Sequence, residues 1–145
     1  MTDKRIAVSA WESLFRAQVA VMRHLNTEFP SGELSFNEYD VLLNLSQHDN
    51  RLRIKDLNRY LLLTQPSVSR LIDRLTARGI VTKSIDSNDA RGIIVETTQR
   101  GVDVFRRVAL IHVDSIVTHV GAVLDDDELA QLSMLTDKLR QGIDA

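Results

Sequence analysis

From Arg53 to Arg91 the apolar residues hold a helical period, break, hold it again, and then give way to β-branched runs. That order admits few folds. Lys55 to Leu61 reads as a short helix with Leu57 and Leu61 inward. Leu61-Leu62-Leu63 joins it to a second helix over Thr64 to Gly79, where Val68, Leu71, Ile72 and Leu75 follow the i, i+3, i+4, i+7 spacing of a buried stripe. Thr64 is placed to accept from an orphan N–H of the first turn, and Pro66 falls where a missing N–H costs nothing. Gly79 can end the helix in the left-handed conformation. Gln65, Ser67, Ser69, Arg70, Asp73 and Arg74 occupy the other faces, the side chains a helix needs to read a major groove. Leu62 stands where such turns often carry glycine; a left-handed leucine there would cost ~1–2 kcal/mol.

Two strands are expected next. Ile80 to Ile85 and Ile93 to Thr97 are rich in β-branched residues, and the polar loop Asp86 to Gly92 joins them with Arg91 at its tip. The tip is too polar to be buried, and two strands alone are marginal, so the hairpin must lean on the helices. Leu52-Arg53-Ile54 has the composition of a short strand. Upstream, Ser35-Phe36-Asn37-Glu38 is a capping box that opens a helix with Tyr39, Leu42, Leu43 and Leu45 on its apolar side.

Long helices flank this centre. The first, Ile6 to Phe29, carries Trp11, Leu14, Phe15, Val21, Met22 and Leu25 near a 3.6 period, and at 1.5 Å per residue it is ~36 Å long. Thr98 can cap another, Gln99 to Val120, whose apolar residues cover more than one face. A chain of 145 residues cannot easily bury such a helix alone, so a second copy is expected. Asp125 to Glu128 place acids at the start of a last helix, where the macrodipole favours them, ahead of Leu129, Leu132, Leu135 and Leu139.

Charge sharpens the reading. Between Arg51 and Arg91 nine basic residues face four acidic ones, while the whole chain carries −2, so a basic centre sits in an acidic protein. There is no cysteine, which excludes disulfides and thiolate metal sites. His112 and His119 are seven apart, not the four of a helical zinc pair, so neither metal nor cofactor is expected. No apolar run approaches the ~20 residues of a membrane span, and no signal peptide opens the chain, so the expected location is the cytoplasm. No nucleophile–base motif or glycine-rich phosphate loop suggests an enzyme.

In order and spacing these segments resemble the MarR family of bacterial transcription regulators. Leu34 to Leu42 resembles the opening of the family's second helix, Leu63 to Leu75 its recognition helix, and Gly79-Ile80-Val81 the start of its hairpin. Asp86 to Gly92 resembles its wing, with an Asp-x-Arg pair, and Thr98-Gln99-Arg100-Gly101 the start of its fifth helix. The resemblance implies a mainly α fold with a small β-hairpin wing: one domain over 1–145, a winged helix-turn-helix lobe at 35–97, and dimerisation helices at 1–30 and 98–145. It implies a homodimer on double-stranded DNA of pseudo-palindromic sequence, a repressor released by a small aromatic or anionic ligand.

Residue by residue, the expected DNA contacts are Thr64, Gln65, Pro66, Ser67, Ser69, Arg70 and Arg74 on the helix and Arg91 on the wing, with Asp89 orienting Arg91. Arg91 resembles the family's minor-groove arginine. Arg53 and Lys83 are second-tier phosphate contacts. The bland alternatives are an Arg70–Asp73 pair within the helix and an unimportant ion pair at the turn. Trp11, Arg16, His24, Tyr39 and His112 are the candidates for a ligand pocket, each set against plain packing. The competing function is a small-molecule-binding or protein-interaction module that no longer reads DNA; the basic face and intact Arg91 weigh against it.

Overall fold

A computed structural model describes residues 2–144. Nine elements follow in order: α1 (Lys4–Glu28), α2 (Phe36–Ser46), β1 (Arg51–Arg53), α3 (Ile54–Tyr60), α4 (Gln65–Ala77), β2 (Val81–Asp86), β3 (Asp89–Thr97), α5 (Gln99–His119) and α6 (Asp126–Asp144). The chain divides into two compact units, residues 29–111 and residues 1–28 with 112–145. The mainly helical fold with a small antiparallel sheet is the one expected from the sequence.

The unit 29–111 is closed around its own core. Leu34, Leu42, Leu45, Leu57, Val68, Ile72, Leu75, Ile80, Val95 and Val108 are fully buried. Each such side chain is worth ~1.5–3 kcal/mol relative to leaving it in water. The capping box forms as expected: Glu38 N–H donates to Ser35 Oγ at 3.1 Å, and Ser35 N–H to Glu38 Oε1 at 2.8 Å. Glu38 does a second job that the sequence hid. Its other oxygen pairs with Arg78 Nη1 at 3.3 Å, and Arg78 also donates to the Glu33 carbonyl, tying the start of α2 to the end of α4.

The connections obey local rules. Gly79 has φ +72; its N–H reaches Thr76 O at 3.0 Å, and Ile80 N–H reaches Leu75 O at 2.9 Å. These two bonds close the helix in the Schellman manner, with Ile80 and Leu75 both buried. Thr98 Oγ1 then accepts from Gly101 N–H at 3.0 Å, while Thr98 N–H donates to Ile80 O at 3.0 Å. A Cβ on Gly101 would lie 2.1 Å from Ile80 O, so only glycine lets α5 pass this close. Among the described residues the left-handed non-glycine ones are Asp49 and Asn50, in the turn between α2 and β1. Asx residues tolerate that region best. Leu62 does not adopt it, so the expected strain does not arise. Its neighbour Leu61 is extended and buried, and Leu62 itself is fully exposed.

The hairpin departs from expectation in three ways. It is part of a three-stranded sheet in the order β1-β3-β2, because β1 pairs antiparallel with β3, Arg51 opposite Glu96 and Arg53 opposite Ile94. The pair therefore leans on a third strand as well as on helices. The strands also run further out than their β-branched content suggests, so Ser87 and Asn88 form the tip and Arg91 lies on β3. Finally, Asp86 is buried, 3% exposed, beside an irregularity in register at Ile85/Asp86.

The unit 1–28 with 112–145 is different in kind. Leu25, His112 and Ser115 are buried, yet α6 has no buried residue along its 19 residues. Ile6, Val8, Trp11 and Phe15 on α1, Val113 and Val117 on α5, and Met134, Leu135 and Ile143 on α6 are all exposed. Within this unit Glu28 accepts from Ser115 Oγ at 2.6 Å and contacts His119 Nε2 at 2.5 Å, and the rings of His24 and His119 stack at 5.1 Å. The Ser115 and His119 contacts hold the Glu28 carboxyl below its ordinary pKa.

Candidate nucleic-acid interface

The outer face of α4 is presented by an inner face that cannot turn. Val68, Leu71, Ile72 and Leu75 are buried, which fixes the helix about its axis and leaves Gln65, Pro66, Ser69, Arg70 and Arg74 exposed. Thr64 caps it, its Oγ1 accepting from Ser67 N–H at 3.3 Å and donating to Ser67 Oγ at 2.9 Å. Pro66 sits in the first turn as expected. The free N–H groups and the dipole make this end attractive to a phosphate.

The cations of the lobe fall into two sets. Arg70 donates to Ser67 Oγ at 3.3 Å, one turn back on the same helix, and has no acidic partner among the described residues. Asp73, its nearest candidate, is taken by Lys83, whose Nζ lies 2.6 Å from Asp73 Oδ1. Arg74 and Arg91 likewise have no acidic partner among the described residues, and both are exposed. Arg53 is in the other set: its Nε lies 2.7 Å from Asp86 Oδ2. Two of the cations expected to meet phosphates, Lys83 and Arg53, are therefore already paired within the chain. Asp89 meets Arg91 at the backbone: its Oδ1 accepts from Arg91 N–H at 3.1 Å. The pair that the sequence reading set against DNA contact, Arg70 with Asp73, does not form.

The five pocket candidates divide by unit. Trp11, Arg16 and His24 are exposed on α1, and His112 is buried on the part of α5 that belongs to the same unit. Burial pushes the His112 imidazole below its ordinary pKa. Tyr39 belongs to the other unit, buried in an aromatic cluster with its ring stacked on Phe105 at 5.1 Å and edge-on to Phe29 at 5.5 Å. Desolvation there pushes its phenol pKa up. Among the described residues no group of three or more His, Asp or Glu could hold a metal ion, and no helix is long and apolar enough to cross a membrane.

The segment that holds α2, α3, α4 and the start of the wing matches the model of one family, the MarR family, over residues 33–92. Solved MarR-family regulators share the fold of the whole chain, and the family model matches its central lobe. The fold match runs through the whole chain. AbsC, a MarR-family transcriptional regulator from Streptomyces coelicolor, is 24% identical, with 99% of this chain and 96% of that one covered and a TM-score of 0.79. Sco3205, a second MarR-family regulator from Streptomyces coelicolor solved in complex with DNA, is 25% identical over 98% of this chain and 90% of its own, with a TM-score of 0.78. BpsR from Bordetella bronchiseptica, whose DNA binding is regulated by 6-hydroxynicotinic acid, is 21% identical over 91% and 98%, with a TM-score of 0.77. The proteins that this chain matches in fold are transcriptional regulators.

Proposed function

We propose that this chain is a MarR-family regulator, a sequence-specific DNA-binding transcriptional repressor of the cytoplasm, acting as a homodimer on a pseudo-palindromic operator. The observation that carries the reading is the uncommitted outer face of α4. Its arginines, Arg70 and Arg74, have no acidic partner among the described residues, while its apolar stripe is locked in the core. In this reading Gln65, Ser69 and Arg74 meet base edges, and Thr64, Pro66 and Ser67 lie against the phosphates at the helix N-terminus. Arg91 enters the flanking minor groove, where a narrow A·T-rich tract attracts an arginine.

The homodimer follows from α1, the second half of α5 and α6, whose apolar side chains remain in water in a single chain. Residues 1–30 and 98–145 supply the dimerisation helices, and 35–97 the reading lobe. A small aromatic or anionic ligand that binds better to the dimer with the wrong lobe spacing would release it from DNA. The regulation of BpsR by 6-hydroxynicotinic acid supports that possibility by likeness of fold alone.

Titrating labelled operator at several salt concentrations, with sedimentation velocity in parallel, tests the reading. Affinity should fall steeply with salt, log K dropping by ~0.9 per neutralised phosphate for each decade. The protein should sediment as a dimer. A concentration-independent monomer, or affinity for operator no higher than for random DNA, would defeat it.

A further inference from the structure

Asp86 is the most deeply buried acid among the described residues of the lobe, and it adjoins the hairpin tip, where Ser87, Asn88 and Asp89 are exposed. Three contacts hold it. Arg53 Nε, on β1, lies 2.7 Å from its Oδ2. Asn88 N–H, in the tip, donates to its Oδ1 at 2.9 Å. Gly92, on β3, packs against it so closely that a Cβ there would lie 3.1 Å from Asp86 Cβ and 3.2 Å from Asp89 O. The register irregularity at Ile85/Asp86 adds a local bend, the usual way a strand re-aims a side chain beside a functional site.

These contacts join all three strands. Asp86 is on β2, Arg53 on β1, and Gly92 on β3, which runs between them. Arg91 immediately precedes Gly92 on β3, and two residues before it is Asp89, whose carboxylate accepts from the Arg91 amide. We propose that Arg53, Asp86 and Gly92 form a clamp that sets the direction of the wing, so that Arg53 is a positioning residue for Arg91 and not a phosphate contact. The inference rests on the DNA-reading function proposed above.

A hairpin tip is the part of a wing most free to splay. An exposed ion pair would restrain it weakly, because water screens it. Asp86 is sheltered, so its charge depends on Arg53: removing Arg53 leaves the carboxylate without compensation in a poorly solvated place, whereas Arg53 is partly open to water. The glycine completes the arrangement by leaving the volume that the inward carboxylate occupies. Breaking the clamp should blur where Arg91 enters the groove without removing any charge that touches DNA.

The test uses the full chain and two operators selected from a random pool, one with its A·T-rich flanks and one with those flanks changed to G·C. Arg53→Met and Asp86→Asn should each lower affinity for the A·T-flanked operator by roughly tenfold and remove most of the preference for it. The double variant should lose no more than the worse single one, and Arg53→Lys should keep most of the preference. In an Arg91→Ala background Arg53→Met should change nothing further. The salt slope should stay at its wild-type value; a fall of about one unit for Arg53→Met would make it a phosphate contact and overturn the clamp. Gly92→Ala changes no charge, keeps both partners, and should lose the same flank preference; it remains informative if Asp86→Asn proves too unstable to assay. Wild-type flank preference retained in Arg53→Met or in Gly92→Ala would also overturn the clamp. If the wild type enriches no sequence at all, the DNA-reading function itself has failed, a result distinct from unchanged variants of a protein that does bind.

Discussion

Two helices of this chain have amphipathic sequences and opposite fates. α4 buries its whole apolar stripe, Val68, Leu71, Ile72 and Leu75, inside its own unit. α6 is longer, carries Leu132, Leu135 and Leu139 at comparable spacing, and buries nothing. The same pattern thus marks a finished element in one case and an unfinished one in the other. On the proposed function, the polar remainder of α4 is the working face. On the same reading the apolar stripe of α6 is the working face, to be covered by a second copy of the chain.

The largest effect should come from charging the unfinished face. Leu135→Asp should leave the lobe folded but return the protein to a monomer. Affinity for a two-half-site operator should then drop about 100-fold or more, since each lobe loses the effective concentration supplied by its twin. Dimers in sedimentation at micromolar concentration would contradict this. Cutting the finished face should act on stability instead. Ile72→Ala should cost ~2–5 kcal/mol in denaturant unfolding, the range for a truncated core side chain. A loss below ~1 kcal/mol would mean that α4 is held by something other than its stripe.

The exposed face of α4 and the wing should respond in binding alone. Arg74→Ala should cost ~1–3 kcal/mol of affinity for the operator and less for random DNA if it reads a base. Equal losses on both would assign it to phosphate. Arg91→Ala should weaken operator binding with little change in thermal midpoint; unchanged affinity at moderate salt would take the wing out of the mechanism.

The smallest effect is on pH dependence. Burial holds His112 below its ordinary pKa of about 6.5, so the unfolded chain takes up the proton more readily than the fold. That contribution to stability is complete above the unfolded value and is lost as pH falls from there toward the lower folded value. His112→Gln should flatten the stability curve across that window; a wild-type curve already flat between pH 7.5 and 5.5 would show no such linkage, those limits bracketing the unfolded value by about one unit.

What could be read from the sequence was what short range decides. Thr64, Pro66 and Gly79 announce the ends of α4, and Ser35 with Glu38 the start of α2, because a cap needs partners only a turn away. The apolar stripe of α4 and the three-residue β1 were visible for the same reason. Pairings across the chain were not. Asp86 read as an exposed loop residue because its partner, Arg53, is on another strand, and Lys83 read as free because Asp73 is on α4. Glu38 was recognised as a cap but not as the partner of Arg78. The stack of His24 on His119 beside Glu28 joins opposite ends of the chain, and no spacing rule reaches that far. β-Branched content misjudged the wing, since strand length there follows from pairing with β3 and extends through polar residues to Asp86 and Asp89. The consequence falls on the site: the side chains of Arg70, Arg74 and Arg91 have no acidic partner among the described residues, while Arg53 and Lys83 pair with Asp86 and Asp73.

The central claim is that two copies of α4 read DNA together. Selection of bound sequences from a random duplex pool tests it most directly. The account predicts an inverted repeat whose half-sites are centred about one helical turn apart, ~34–36 Å. Enrichment of a single, asymmetric half-site, or of nothing, would contradict it.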